Sequence, residues 1–157
     1  EALNLEPLAL FGGLNAEDLW FLVDASMVHW LLLVLLPQWK HTPKLSLVTP
    51  MVMSVVYSLT LVSLTMFSEV EPDPEASFTS LKGIMVLFSD PSSMFAGWVH
   101  YVVFDGLVGR WIVMDSIERG ASIPFHVLAV VPCLFFTLMS GPMGLLIYVV
   151  LIRTLLD

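Results

Sequence analysis

One stretch of the chain, GWVHYVVFDGLVGRW, combines the composition of a membrane span with three ionisable side chains, His100, Asp105 and Arg110. An ionised group at the centre of a bilayer costs roughly 2.5–3.5 kcal/mol on insertion scales, so such residues are functional candidates by default. Arg110 lies near the end of the apolar stretch, where its long side chain can reach the membrane surface. His100 and Asp105 therefore stand as candidates for proton chemistry.

The first apolar stretch carries the same two residue types in the reversed order, as Asp24 and His29. At a rise of about 1.5 Å per residue, Asp24 and His100 would lie roughly 8 Å inside their helices. His29 and Asp105 would lie roughly 15 Å inside by the same rise. The spacing predicts two contacts between helices, Asp24 with His100 and His29 with Asp105. Residues five apart differ by about 140° around a helix, so we expect one pair to dominate or another helix to lie between them.

A neighbouring face of the same stretch combines aromatic and glycine residues. Trp98, Tyr101, Asp105 and Gly109 fall within about 80° of arc on a helix. Glycines in a membrane helix let another backbone or a flat ligand approach closely. The predicted ligand-binding residues are Gly97, Trp98, Tyr101, Gly106 and Gly109.

Two other interpretations of the aspartates and histidines stay open. A buried polar network that only fixes helix packing would also place these residue types inside a span. Histidines from two helices can ligate a metal ion or a haem. His29 and His100 come without the Cys or Glu cluster that such sites usually have. We therefore predict no metal site.

The composition predicts an integral membrane protein. Of the 157 residues, 57% are hydrophobic and only 13% are charged, and the mean hydropathy is +0.88. Soluble domains average roughly 25% charged residues, so this chain has too few polar side chains to cover a globule. Membrane lipids are its expected partners. The net charge of -8 and the lack of a basic stripe make nucleic acid a poor partner.

Apolar windows of about 20 residues predict four membrane spans within a single domain, residues 1–157. The predicted spans cover about 19–36, 45–67, 94–114 and 123–153, the last with a kink or break near 140–142. The segment 77–91 is too short to cross and is predicted to be an interfacial helix or a re-entrant segment. The predicted fold class is thus an all-α integral membrane protein, a bundle of four transmembrane helices with a short interfacial helix before the third span.

The distribution of lysine and arginine predicts the orientation of the spans. The connections between spans 1 and 2 and between spans 3 and 4 hold Lys40, Lys44 and Arg119. The opposite side would hold Lys82 and Arg153. Both termini are therefore predicted to lie on the side away from the cytoplasm or stroma.

The chain resembles the abscisic-acid-deficient-four family, which comprises small plastid and bacterial membrane proteins associated with neoxanthin synthesis. The resemblance is carried by GWVHYVVFDGLVGRWI and by PCLFFTLMSGPMGLLIY, which ends at Tyr148. DASMVHWLLLVLLPQW and LKGIMVLFSDP are similar to the family's first span and to the segment before its third. Gly106 and the acidic connection EVEPDPE depart from the family's pattern. The resemblance implies a plastid membrane, either the envelope or the thylakoid.

The resemblance also implies a part in the conversion of violaxanthin to neoxanthin, as a carotenoid epoxide isomerase. One 5,6-epoxide opens and C7 loses a proton, which leaves an allene without net redox change, so no cofactor is required. The reaction needs an acid near the epoxide oxygen and a base near C7 in an apolar slot. A carboxylate and an imidazole in a medium of low dielectric suit these tasks. Asp105 is the expected base, with His29 or His100 as the acid and Asp24 orienting the histidine.

Two functions without catalysis are alternatives. A pigment-binding or assembly subunit of a photosystem or light-harvesting antenna could bind chlorophyll through a histidine and a carotenoid in a groove lined by Trp and Gly. A small transporter or proton-coupled carrier would also use buried Asp and His, although no inverted repeat is visible. Pigment bound in a fixed ratio would indicate the subunit, and conversion of violaxanthin would indicate the enzyme.

Overall fold

The computed structural model describes residues 5–156 of the chain. These residues fold into helices and contain no β-strand. A 3₁₀ turn, Ala9–Phe11, precedes the longer elements. The six helices are α1 (Trp20–Leu35), α2 (Thr42–Met66), α3 (Leu81–Leu87), α4 (Pro91–Glu118), α5 (Ile123–Ser140) and α6 (Pro142–Leu155). The all-helical class predicted from the sequence is confirmed.

Only two of these helices, α2 with 25 residues and α5 with 18, are long and apolar enough to cross a membrane. The helices α1 and α6 are apolar but have only between 10 and 17 residues. The helix α4 has 28 residues, but charged side chains interrupt its apolar sequence. The bundle of four spans therefore stays a prediction, and the same holds for an interfacial position of α3.

Contacts along the chain group it into two compact units. The first unit comprises Glu1–Asp24 and Met53–His100, and the second comprises Ala25–Val52 and Tyr101–Asp157. The helices α1, α2 and α4 contribute residues to both units. The predicted pair of Asp24 and His100 thus belongs to the first unit, and that of His29 and Asp105 to the second.

In the first unit, the chain before α1 is fastened to α2 and to its end by polar contacts. The amide of Leu10 donates to the hydroxyl of Ser63 at 3.2 Å. The hydroxyl of Ser68 donates to the carboxylate of Glu6 at 2.7 Å. The helix α3 begins at a standard cap, because the Ser80 hydroxyl accepts a hydrogen bond from the amide of Gly83.

The second unit has an apolar core where α1, α4, α5 and α6 meet. The ring of Trp30 lies over Gly109, where a Cβ atom would come within 2.7 Å of it. The core residues are Trp30, Leu33, Ile112, Val113, Val130, Cys133, Leu134 and Tyr148. Cys133 is fully buried and its thiol faces the carbonyl of Ala129 at 3.3 Å. The cysteine is therefore a packing residue, as its apolar neighbourhood indicates.

The predicted fourth span is the part of the fold that differs most from the prediction. In place of one span over 123–153, the chain turns back at Gly141, and α6 packs antiparallel against α5. Gly141 has φ +51° and ψ −95°, a conformation that side chains with a Cβ rarely adopt. Because Pro142 cannot continue the preceding helix, the sequence Gly-Pro ends α5 and starts α6.

Two wide turns face each other across this hairpin. Both α5 and α6 contain a π-helical segment, His126–Val130 and Tyr148–Ile152, and these segments pack together. The reversal also changes the predicted orientation. Arg153 returns to the end where Arg119 lies, since both arginines bond to Asp115. Its assignment to the opposite side is therefore wrong.

Gly144 is the residue at which α6 approaches α5 closely. Its replacement by alanine is expected to push the two helices apart. A Cβ atom there would overlap the hydroxyl of Thr137 and the carbonyl of Cys133 in α5. Overpacking costs about 1–3 kcal/mol, and a backbone carbonyl cannot swing aside. Alanine returns only about 1 kcal/mol of helix propensity. We expect G144A to lower the free energy of unfolding by about 2 kcal/mol, measured by denaturant titration in micelles. M143A, at the exposed neighbouring position, is the matched control and should change it far less.

Candidate functional site

The carboxylate of Asp105 lies against the break between α5 and α6. Asp105 is near the middle of α4, thirteen residues before the helix ends at Glu118 and therefore roughly 20 Å from that end. A Cβ atom on Gly141 would come within 2.9 Å of its Oδ1 atom. The side chain is half-buried, and among residues 5–156 it makes no side-chain hydrogen bond. An acidic group without partners thus faces a helix break.

His29, the predicted partner of Asp105, forms a different contact. Its Nε2 atom lies 3.0 Å from the carbonyl oxygen of Gly106. Because a carbonyl only accepts, Nε2 carries the proton of this hydrogen bond. The other ring nitrogen, Nδ1, is buried and has no hydrogen-bond partner in the described chain. The predicted bond from His29 to Asp105 is absent, and His29 instead fastens α1 to α4 one residue beyond Asp105.

The other predicted pair does not form within the first unit either. Asp24 and His100 are both exposed, and Asp24 makes no ion pair or hydrogen bond with His100 among the residues that the structure describes. The imidazole of His100 lies edge-on to the ring of Tyr57, with centroids 5.6 Å apart. Trp98 packs instead beside Trp20, with centroids 6.1 Å apart.

The three glycines predicted to admit a ligand are each in contact with a side chain of the protein. In the first unit, the ring of Phe88 covers Gly97, where a Cβ atom would come within 2.6 Å of it. In the second unit, Trp30 covers Gly109, and His29 and Pro50 border Gly106. Tyr101 remains largely exposed, at 62%, one helical turn before Asp105. Of the predicted ligand-binding residues in the second unit, Tyr101 is therefore the one that could meet a molecule from outside.

A half-buried polar cluster at the end of α4 was not predicted from the sequence. The Oδ2 atom of Asp115 accepts hydrogen bonds from the hydroxyl of Tyr148 at 2.7 Å, from Arg119 at 2.9 Å and from Arg153 at 3.2 Å. Burial alone would raise the pKa of Asp115, but these donors and the charge of Arg119 outweigh it and lower the pKa. The spacing of Asp115 and Arg119 is the one sequence signal for this cluster, since residues four apart meet on a helix.

No metal site accompanies these groups in the described part of the chain. Among residues 5–156, no set of three or more His, Cys, Asp or Glu side chains is arranged to hold a metal ion. The groups near the helix break that could do proton chemistry include the carboxylate of Asp105, the buried imidazole of His29 beside Gly106 and the exposed phenol of Tyr101.

Loss of the Tyr148 hydroxyl should destabilise the second unit. Y148F keeps the ring, which packs edge-on against Trp111 at 5.7 Å, and removes one donor to a charged acceptor. Such hydrogen bonds contribute about 1.5–3 kcal/mol, so we expect Y148F to lower the free energy of unfolding by about 2 kcal/mol. Its effect should fall by about half in a D115N background, because the amide oxygen still accepts the hydrogen bond but carries no charge.

The pH dependence of the same variants provides a check. Since the pKa of Asp115 is lowered in the folded protein, its stabilising contribution is present above the ordinary aspartate value of 3.8 and is lost as the pH falls through the folded value. The difference in free energy of unfolding between wild type and D115N should therefore shrink as the pH falls below 3.8. A difference that stayed constant down to acidic pH would contradict the charged network.

Comparison with known proteins identifies the family of the chain. A family model described as ABA4-like, ABA DEFICIENT 4-like, matches residues 20–148. Neither a curated protein nor a solved structure matches the chain. The matched range contains Asp105, the break at Gly141 and Tyr148, and it covers more than half of the 157 residues. The chain belongs to the ABA4-like (ABA DEFICIENT 4-like) family.

Proposed function

We propose that this protein is an integral membrane isomerase of carotenoid metabolism, which converts violaxanthin to neoxanthin with Asp105 as its catalytic residue. Membership of the ABA4-like family supports the pathway, because the family is linked to neoxanthin and abscisic acid formation. It also favours a plastid membrane, envelope or thylakoid. The observation that carries the proposal is the unpartnered carboxylate of Asp105 at the break between α5 and α6.

The exposed surface of α2 supports a location in the membrane. Large apolar side chains recur along this helix with 37–58% of their surface exposed between Leu45 and Val55. Monomeric soluble proteins rarely leave apolar patches of such length in water. The same side chains are well placed against lipid tails, and α5 adds a second apolar helix of spanning length.

The depth of the helix break supports a ligand site. If α4 crosses the bilayer, Asp105 lies close to its midpoint, and Gly141 lies at the same depth because the two residues are in contact. Non-helical backbone at that depth is tolerated only where protein or a cavity surrounds it. Broken helices that meet near the midplane are a recurring way to build substrate sites in membrane proteins.

A single carboxylate at this position can perform the isomerisation. One oxygen of Asp105 removes the proton from C7, and the electrons of that C–H bond form the C6=C7 double bond of the allene. The C6–O bond of the epoxide breaks, and its electrons stay on the oxygen, which remains attached to C5. Asp105 then returns the proton to this oxygen. Atoms and electrons balance, and no co-reactant is consumed.

The surroundings of Asp105 suit this step. Hydrogen bonds donated to a carboxylate stabilise its charge and make it a weaker base. Among the described residues, no group donates such a bond to the side chain of Asp105. Tyr101 and Phe104 expose 62% and 55% of their surface on the same part of α4 and offer flat apolar contact to a polyene. His29 is too enclosed to protonate a substrate, at 3% exposure. We therefore assign it a positioning role through Gly106 rather than the role of the acid.

Replacement of Asp105 tests the proposal. In a host that accumulates violaxanthin, the wild-type protein should produce neoxanthin, and D105N should reduce its formation by about 100-fold, the usual contribution of a general base. Pigments are separated by chromatography and normalised to the amount of folded protein. E118Q removes an exposed carboxylate at the end of the same helix and should retain wild-type conversion.

The role of His29 is separated by a conservative change. H29Q keeps a side-chain N–H that can donate to the carbonyl of Gly106, so conversion should be largely retained if His29 only positions α4. Loss of conversion in a stably folded H29Q would make the imidazole itself essential. Undiminished conversion by D105N would overturn the assignment of the base.

A second candidate, pigment binding without catalysis, is favoured by one feature of the first unit. The imidazole of His100 is exposed beside the ring of Tyr57, and exposed membrane histidines can bind the magnesium of chlorophyll. This function predicts chlorophyll in a fixed ratio in the purified protein, lost in H100A and retained in H41A. Absorption spectra of the three preparations measure it, and a wild-type protein free of chlorophyll would exclude it.

A further inference from the structure

One end of the second unit gathers most of the positive charge of the chain. We call it the cationic end and define it by Lys40, Lys44, Arg110, Arg119 and Arg153, five of the six Lys and Arg residues of the sequence. Contacts within the unit bring these residues together from three separate parts of the chain.

The turn between α1 and α2 is joined to the turn after α4. The side-chain amide of Gln38 donates to the carbonyl of Ala121 at 3.0 Å. The Nη2 atom of Arg110 donates to the carbonyl of Pro43 at 2.9 Å, which places its charge beside Lys44. Arg153 reaches the same end from α6, through its bond to Asp115.

Little negative charge compensates these residues. Asp115, which already accepts three hydrogen bonds, and Glu118 are the acidic residues that the structure describes at this end. In the described part of the chain, no ion pair involves Lys40, Lys44 or Arg110. The cationic end thus has five positive side chains and two negative ones, and its net charge is positive.

The turn also has the marks of a membrane surface. Trp39 exposes 43% of its surface and packs edge-on against His41, with centroids 4.9 Å apart. Tryptophan rings of this kind are enriched at the level of lipid headgroups. The exposed apolar face of α2 begins directly after the turn, at Leu45. The charged turn and Trp39 would therefore lie at the level of the lipid headgroups, and the apolar face of α2 would lie among the acyl chains.

We propose that the cationic end binds the phosphate headgroup of an anionic phospholipid, with Lys40, Lys44 and Arg110 as its ligands. The proposal rests on the membrane location but not on the isomerase reaction, so the neoxanthin assay and the lipid experiment can fail independently. Each lysine near an anionic surface contributes about fivefold to binding, and the two lysines together should contribute about 25-fold.

The experiment compares lipids added to the protein in neutral detergent. Phosphatidylglycerol should raise the thermal midpoint of the wild type at concentrations where phosphatidylcholine has no effect. K40A/K44A should need about 25-fold more phosphatidylglycerol for the same rise. K82A is the matched control, because Lys82 belongs to the first unit and already pairs with Glu75 at 2.9 Å. It should respond as the wild type does.

Two further outcomes keep the test decisive. The lysines are exposed, so K40A/K44A should fold. If it does not, the response of the wild type to phosphatidylglycerol must still weaken as salt screens the charges. An equal response to both lipids would overturn the proposal. Stabilisation by inorganic phosphate alone, with displacement of the lipid, would also overturn it in favour of a soluble anion.

Discussion

The reversal of the chain at Gly141 is the constraint on which the second unit depends. Its positive φ angle lets α6 return along α5 instead of continuing away from it. The return carries Tyr148 and Arg153 to Asp115, and Gly141 itself comes to lie against Asp105. The polar cluster around Asp115, the contact of Asp105 with the helix break and the place of Arg153 at the cationic end all follow from this one turn.

The two aspartates of α4, Asp105 and Asp115, lie in different surroundings on the same helix. Asp115 is saturated with donors from three other side chains, so its negative charge is held in place and serves the packing of α6. Asp105 lies roughly 15 Å away along the helix, beside a break and without such donors among the described residues. A carboxylate in the first situation stabilises the fold, whereas one in the second retains its capacity to take a proton.

The sequence predicted the helical class, the helix before α4 and an interruption near 140–142, because these follow from apolar runs, Pro and Gly. It could not show whether Gly141 bends a helix or reverses it, since both outcomes use the same residues. That ambiguity misplaced Arg153 and hid the contact of Tyr148 with Asp115. Depth along two helices predicted a contact of His29 with Asp105, whereas the imidazole bonds to the carbonyl of Gly106, one residue further along. Side-chain pairing therefore could not be derived from depth alone.

The π-helical segment Tyr148–Ile152 has a consequence for how α6 can vary. A π turn holds about one residue more than an α turn. Deleting one residue within it would restore an ordinary α turn and would leave the residues that follow in nearly the same direction around the helix axis. Arg153 would then stay on the face of α6 that meets Asp115. A deletion in a regular α turn of α6 would instead rotate everything that follows by about 100° and carry Arg153 away from Asp115. The wide turn is thus a position at which α6 can change its length by one residue without moving the arginine to another face.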